Sequence, residues 1–323
     1  MILAVYFKSS HDIIWDFAKQ CGVRNGVIRL PEDADFDITD KKHWEKVYKA
    51  FTDFGIKPIV IEPMPNALHD HIKAGDDLRD ECIDKVIKMM EYMNEFDIRT
   101  ICFNWMAHIG WLRTSDSVEE RGNALVTGFD VQSFEQKWKA GVYGSPHITA
   151  AKLWDNYEYF IKAVIPYAEK YDIKLALHPD DPPLDRLGDV ERIMTGYENI
   201  AKAVNIVDSS NLGVTMCQAC YLMMGENLYD VIPKLAEKIF FVHFRNVTGN
   251  KYGFHETFHD NGDIDMADII RLYKKLNINV PVRVDHVPLM AGEKQDTAGY
   301  TALGRLYAIG YLRGILEAEQ CLN

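Results

Sequence analysis

The chain has 323 residues, 47% apolar and 26% charged, with 48 Asp and Glu against 36 Lys and Arg for a formal net charge of −12. These proportions belong to a globular protein and exclude a disordered or collagen-like chain. A chain of this length buries about three quarters of its unfolded surface without needing disulfide staples. The acidic balance argues against nucleic acid as a partner, because that binding rests on neutralising phosphates with Lys and Arg. Six scattered cysteines fit a reducing compartment. The opening MILAVYFKSSH has no basic n-region and no small-residue cleavage site, so it reads as a first strand of a cytoplasmic protein. No segment reaches the ~18 apolar residues of a membrane span, so no membrane is expected as a partner.

Short apolar runs follow one another along the chain: Ile2–Phe7, Gly26–Leu30, Pro58–Ile61, Thr100–Asn104, Lys174–His178, Gly213–Cys217, Ile239–Phe244 and Val282–Asp285. Each is four to six residues, rich in β-branched or aromatic side chains, as in a strand buried on both faces. Segments of helical period lie between them, notably Arg79–Phe96, Trp154–Tyr171, Met266–Leu276 and Thr301–Ala318. Eight strands alternating with helices predict an α/β fold, a (β/α)8 TIM barrel, over residues 1–323 as one domain. A doubly wound open sheet is the rival, but no strand is followed by G-x-G-x-x-G. The longest irregular stretch, 105–149, is expected to be a lid-like insert after the fourth strand.

Four metal-ligand residue types end four consecutive predicted strands: His178, Cys217, His243 and Asp285, at intervals of 39, 26 and 42 residues. In a barrel the C-terminal strand ends converge on one mouth, where the active site lies. Two imidazoles, a thiolate and a carboxylate there suit Zn²⁺, Fe²⁺ or Mn²⁺. Cys217 also begins a C-x-x-C with Cys220, but no second pair supports a redox or zinc-ribbon reading, and Cys220 is expected to pack at a helix start.

His255-Glu256-Thr257-Phe258-His259 matches H-E-x-x-H, a protease motif only when helical. Gly249 and Gly253 before it and Asp260-Asn261-Gly262-Asp263 after it leave no room for a long helix, and the next helix is expected to start at Asp263 or Asp265. His255 then has two readings, a substrate contact over the barrel mouth or a solvated loop residue. Asp180 and Asp181 sit in a proline-stiffened turn, where one is expected to touch substrate or orient a ligand histidine. Asn104 ends the fourth strand, and Arg245 and Asn246 follow His243; all three are candidate substrate contacts.

At this point the motifs are recognisable. RDECIDKVIKMM (79–90), FNWMAHIGWLRT (103–114), HPDDPP (178–183), FVHFRNV (241–247), FHETFH (254–259), GDIDM (262–266), RVDH (283–286) and GYTALGRLYAIGYLRG (299–314) together resemble the mannonate dehydratase family of the xylose-isomerase-like barrels. The resemblance implies a hydro-lyase of hexuronate breakdown that converts D-mannonate to 2-keto-3-deoxy-D-gluconate. It also implies a homo-oligomer with a Mn²⁺ or Fe²⁺ cofactor on His178, Cys217, His243 and Asp285. A metal-dependent sugar isomerase or epimerase on the same barrel is the alternative. The family's catalytic pair falls on His286 and Tyr300. Tyr300 is expected to act only if its pKa of about 10 is lowered, and Arg283, on the strand face of Asp285, is the candidate cation. In an ideal strand His286 points away from that face, so it reaches substrate only if the strand has ended. The chain departs from the family pattern at Gly110, where the family has Asp, at Ala107, where it has Pro, in CQAC for C-T-G-S, and in a shorter segment after Asp130.

Overall fold

A computed structural model describes residues 1–294 and 297–323. Eight parallel strands close into a barrel: β1 (Ile2–Phe7), β2 (Asn25–Ile28), β3 (Lys57–Ile61), β4 (Thr100–Asn104), β5 (Lys174–His178), β6 (Leu212–Cys217), β7 (Ile239–Phe244) and β8 (Pro281–Val284). They pair in sequence order and β8 closes onto β1, as a TIM barrel requires. Helices cover the outside. Arg79–Glu95 buries Cys82, Ile83, Val86, Met90 and Met93 as one stripe, and Asp265 caps Met266–Lys275 by accepting a hydrogen bond from the Asp268 amide.

The period of two along each strand builds the mouth. Ala4, Val27, Val60, Cys102, Ala176 and Phe241 form an apolar layer inside the barrel. Two residues further on, the same inward face reaches Tyr6, Glu62, Asn104, His178 and His243. Register sets their level: Asn104 pairs with His178, Cys217 with His243, and His243 with Arg283. Gly213 lets β6 lie close to its neighbour, because a Cβ there would collide with the Lys238 carbonyl and the Phe240 ring.

The stretch after β4 is more ordered than an irregular lid. Ser115–Glu120 and Ala124–Asp130 form an antiparallel hairpin, and a second hairpin, Val247–Asn250 with Gly253–Glu256, adds to it as a four-stranded sheet. The helix Val131–Lys139 follows. His255-Glu256 therefore lies on a strand, which removes the helical context a protease motif needs.

A buried ion network fastens this sheet to the barrel. The Arg113 guanidinium donates to both Asp181 oxygens at 2.8 and 3.0 Å and to Glu256 at 2.6 Å. Arg245 donates to Asp181 at 2.7 Å and to Glu256 at 2.8 and 2.6 Å. Two cations and two anions thus neutralise one another out of water. Removing one member of such a set costs about 3–5 kcal/mol, because a charge is left buried and uncompensated. Burial pushes both carboxyls up, but the two guanidiniums overcome it and hold Asp181 and Glu256 below the usual carboxylate range. Carboxyls depressed in this way stabilise the fold above their unfolded pKa of about 4, and the stabilisation is lost as pH falls below it. Arg113→Met is expected to lower the urea unfolding free energy by about 3–5 kcal/mol at pH 7, with the gap to the parent shrinking below pH ~4.

Candidate metal centre

Cys217 lies at the end of β6 and at the start of the helix Gln218–Met223. Its Sγ belongs to two overlapping groups whose donor atoms lie within 4.8 Å of one another, one with His243 and Asp285, the other with His178 and Cys220. The four strand-end residues thus meet around one sulfur.

Each ligand presents a free donor atom. His178 Nδ1 lies 2.7 Å from the Pro179 carbonyl, which only accepts, so Nδ1 carries the proton and Nε2 keeps its lone pair. His243 Nε2 stands 2.9 Å from Glu62 Oε1 and its Nδ1 stands 3.4 Å from Asp285 Oδ2, yet neither nitrogen completes a hydrogen bond among the described residues. Asp285 divides its oxygens: Oδ1 accepts from Arg283 Nη1 at 2.7 Å and from the Tyr300 hydroxyl at 3.0 Å, leaving Oδ2 facing His243. Two donors ~2.1 Å from one tetrahedral ion lie about 3.4 Å apart, so this pair is spaced for a shared cation.

The electrostatics agree. Burial and Arg283 disfavour a charged His243, but Glu62 and Asp285 overcome them and raise its pKa well above the ordinary value. Burial opposes a Cys217 thiolate, but a hydrogen bond from Cys220, the Arg245 guanidinium and the two imidazoles bring the thiol well below its usual pKa. A site that draws a proton onto a buried imidazole and releases one from a thiol is short of positive charge. Neutral imidazole nitrogen, thiolate and carboxylate together fit a divalent transition metal.

Glu62, which the sequence reading missed, completes the arrangement. It ends the inward face of β3, and Arg283 grips both its oxygens at 2.7 Å. Burial pushes its carboxyl up, but Arg283 and His243 pull it down to about 2. Its Oε1 sits where a ligand histidine's outer N–H is ordinarily received. The available signal was a carboxylate two residues beyond inward-facing Val60.

A cavity of about 770 Å³ opens above this floor, bordered by Asn104, His178, Asp181, His243, Asp285, His286 and Tyr300. That is the size of a small-molecule site. Not every expected contact borders it. Arg245 is wholly buried in the ion network and reaches Cys217 and Cys220 Sγ at 3.6 and 3.5 Å, so it serves the metal floor instead of a sugar. Asn246 turns its amide to the carbonyls of His259 and Ile264 at 3.0 Å each, a loop brace. His255 stands in the outer hairpin, 3.8 Å from Glu120. Asp181 borders the cavity, but Arg113 and Arg245 hold its carboxylate. Asn104 lies on the wall and accepts from the Met106 amide at 3.1 Å. Cys220 is wholly buried, as expected of a packing residue, but also touches the Cys217 site.

β8 ends at Val284 and His286 has φ +45°, so the chain turns and both Asp285 and His286 reach the cavity. Arg283 does contact Asp285 but does not acidify Tyr300. Burial and Asp285 raise the phenol's pKa well above its ordinary value despite Arg283, because the hydroxyl already faces a carboxylate. Tyr300 is therefore a proton donor at neutral pH.

Glu62→Gln is expected to weaken metal affinity about 10- to 100-fold, the usual effect of losing an outer partner of a ligand histidine. Cys217→Ser is expected to weaken it further; metal content after dialysis against graded chelator measures both.

A profile of the family described as D-mannonate dehydratase (UxuA) matches residues 5–145 and 137–322. The mannonate dehydratase of Streptococcus equi subsp. zooepidemicus is 32% identical over 293 residues, covering 82% of this chain and 79% of that protein. That of Streptococcus suis is 32% identical over 319 residues, 88% of this chain and 86% of that protein. The crystal structure of mannonate dehydratase from S. suis serotype 2 superposes with a TM-score of 0.88 at 27% identity, over 99% of this chain and 95% of that one. A D-psicose 3-epimerase structure, at 14% identity and a TM-score of 0.62 over 98% of this chain and 99% of that one, shares the fold.

Proposed function

The chain belongs to the D-mannonate dehydratase family of hydro-lyases, and we propose that its barrel mouth removes water from D-mannonate, or a closely related aldonate, with His286 and Tyr300 moving the protons. The carrying observation is how these two side chains flank one carboxylate. Tyr300 donates to Asp285 Oδ1 at 3.0 Å, His286 Nε2 stands 3.5 Å from Asp285 Oδ2, and the two rings lie 5.1 Å apart.

The reaction must break a C2–H bond beside a carboxylate and expel the 3-hydroxyl. His178, Cys217, His243 and Asp285 would hold Mn²⁺ or Fe²⁺, which would supply positive charge against the negative charge that develops beside the substrate carboxylate. His286 takes the C2 proton. Burial lowers its pKa although Asp285 and Glu256 oppose that, so the ring is neutral, and its Nε2 edge lies beside Asp285 at the cavity. Tyr300 holds its proton firmly and gives it to the departing 3-hydroxyl, which leaves as water. The enol then gives up its hydroxyl proton and takes one at C3 to become the 2-keto-3-deoxy acid, and the proton taken by His286 returns through solvent to the Tyr300 phenolate. Arg283 neutralises Glu62 and Asp285 together, keeping Asp285 in place while charge moves beside it. Asn104 lines the cavity on the β4 wall, which supports a contact to the polyol tail.

The manganese-loaded protein, given a panel of aldonates, is expected to form a 2-keto-3-deoxy acid from D-mannonate. Tyr300→Phe and His286→Asn are each expected to lower kcat by about 10²- to 10⁴-fold with metal content unchanged. Aldose–ketose interconversion without turnover of any aldonate would reject dehydration, and full rates in both variants would reject the proton assignments.

A further inference from the structure

A general base is normally oriented by a hydrogen bond from a third group. His286 has none that the described residues provide. Its Nδ1 is unpartnered, and the nearest acceptor to Nε2, at 3.5 Å, is too far for a good hydrogen bond. The residue also holds the left-handed backbone conformation at φ +45°, which side-chain packing must help to maintain.

Packing is what surrounds it. The Trp111 ring lies parallel to the imidazole, at 6° with centroids 5.1 Å apart. Tyr300 meets the imidazole at 60° and 5.1 Å. Gly299, at φ +76°, closes the edge, where a Cβ would stand 2.9 Å from His286 Nδ1. Trp111 is itself held. The Arg113 guanidinium lies 4.6 Å from its ring, and Arg192 Nη2 donates to the carbonyls of Ile109 and Gly110 at 2.7 and 3.0 Å. The plate therefore stands on the ion network that docks the inserted sheet.

We propose that Trp111 is the positioning residue for His286: its stacked ring sets the imidazole plane, the part a hydrogen-bonding carboxylate plays for other catalytic histidines. The proposal rests on His286 being the proton acceptor of the dehydration. The plate blocks rotation of the imidazole about its Cβ–Cγ bond, so Nδ1 stays buried against Gly299 and the Nε2 edge, beside Asp285, stays directed at the cavity. Without the plate the ring would populate other rotamers, and misplacement of about 1 Å costs on the order of 10² in rate.

A double-mutant cycle tests this on the metal-loaded enzyme. Trp111→Ala is expected to lower kcat roughly 10- to 100-fold, with KM changed less than about 3-fold. Trp111→Phe, which keeps an aromatic plate, is expected to recover most of the rate, and Trp111→Leu, which keeps only bulk, is not. In the His286→Asn background, Trp111→Ala is expected to change kcat less than about 2-fold, because its effect runs through the imidazole. A loss that persists undiminished in that background, or that falls mainly on KM, would overturn the proposal and make Trp111 a substrate contact. An unchanged kcat in Trp111→Ala would also overturn it. A second readout needs no turnover. In the diamagnetic zinc form with ¹³C-labelled histidine, the His286 ring protons, assigned by their loss in His286→Asn, are expected upfield in the parent and in Trp111→Phe and to move downfield in Trp111→Ala. No movement would refute the stack. If no aldonate is turned over, the functional reading fails while this shift still decides the stack.

Discussion

The mouth of this barrel concentrates negative charge on buried side chains, and the rest of the site is arranged around that excess. Glu62 and Asp285 flank His243, the Cys217 sulfur lies beside His243 and Asp285, and among the described residues Arg283 is the guanidinium that pairs with both carboxylates. Charges of one sign at these distances are stable only with a compensating cation, since attraction and repulsion both strengthen as the effective dielectric falls. The protein's own responses, a proton drawn toward His243 and one withdrawn from Cys217, are the same demand expressed in acid–base chemistry. Asp285 links it to catalysis: one oxygen is left for the cation while the other is occupied by Arg283 and Tyr300.

A second buried ion set lies beside the first. Arg245 touches Cys217 and also joins Asp181 to Glu256, so the metal floor and the inserted sheet share a guanidinium. Arg113, in the same set, lies against Trp111, which lies against His286. Displacing the sheet would therefore disturb Cys217 and His286 together. The β8 loop adds a backbone tie, with Leu125 and Leu289 exchanging both hydrogen bonds.

Much of this was legible in the sequence because barrels are periodic. A strand buried on both faces reads as an apolar run, and a ligand-type residue at its end is visible without knowing what it meets; His178, Cys217, His243 and Asp285 emerged in that way. What the sequence did not show were contacts between distant segments. Arg245 and Asp181 look like substrate ligands until Arg113 and Glu256 arrive, Arg113 being 68 residues from Asp181 and 143 from Glu256. Asn246 and His255 follow a strand end, but a chain leaving a strand no longer alternates, so their direction was not readable. SDSVEE has too little apolar alternation to announce a strand, and the hairpin it opens is extended, through Ala124–Asp130, by another hairpin far along the chain. His286 was predicted to need the end of β8, but the positive φ that turns it inward is invisible in the residue order.

The central claim is that one cation sits among Cys217, His243, Asp285 and His178. Anomalous diffraction from crystals of the active protein, recorded on both sides of the bound metal's absorption edge, tests it most directly. The account predicts a single strong peak ~2.0–2.3 Å from Cys217 Sγ, His243 Nδ1, Asp285 Oδ2 and His178 Nε2. A fully active crystal with no peak there, or with its metal elsewhere and Cys217 Sγ turned from the imidazoles, would contradict it.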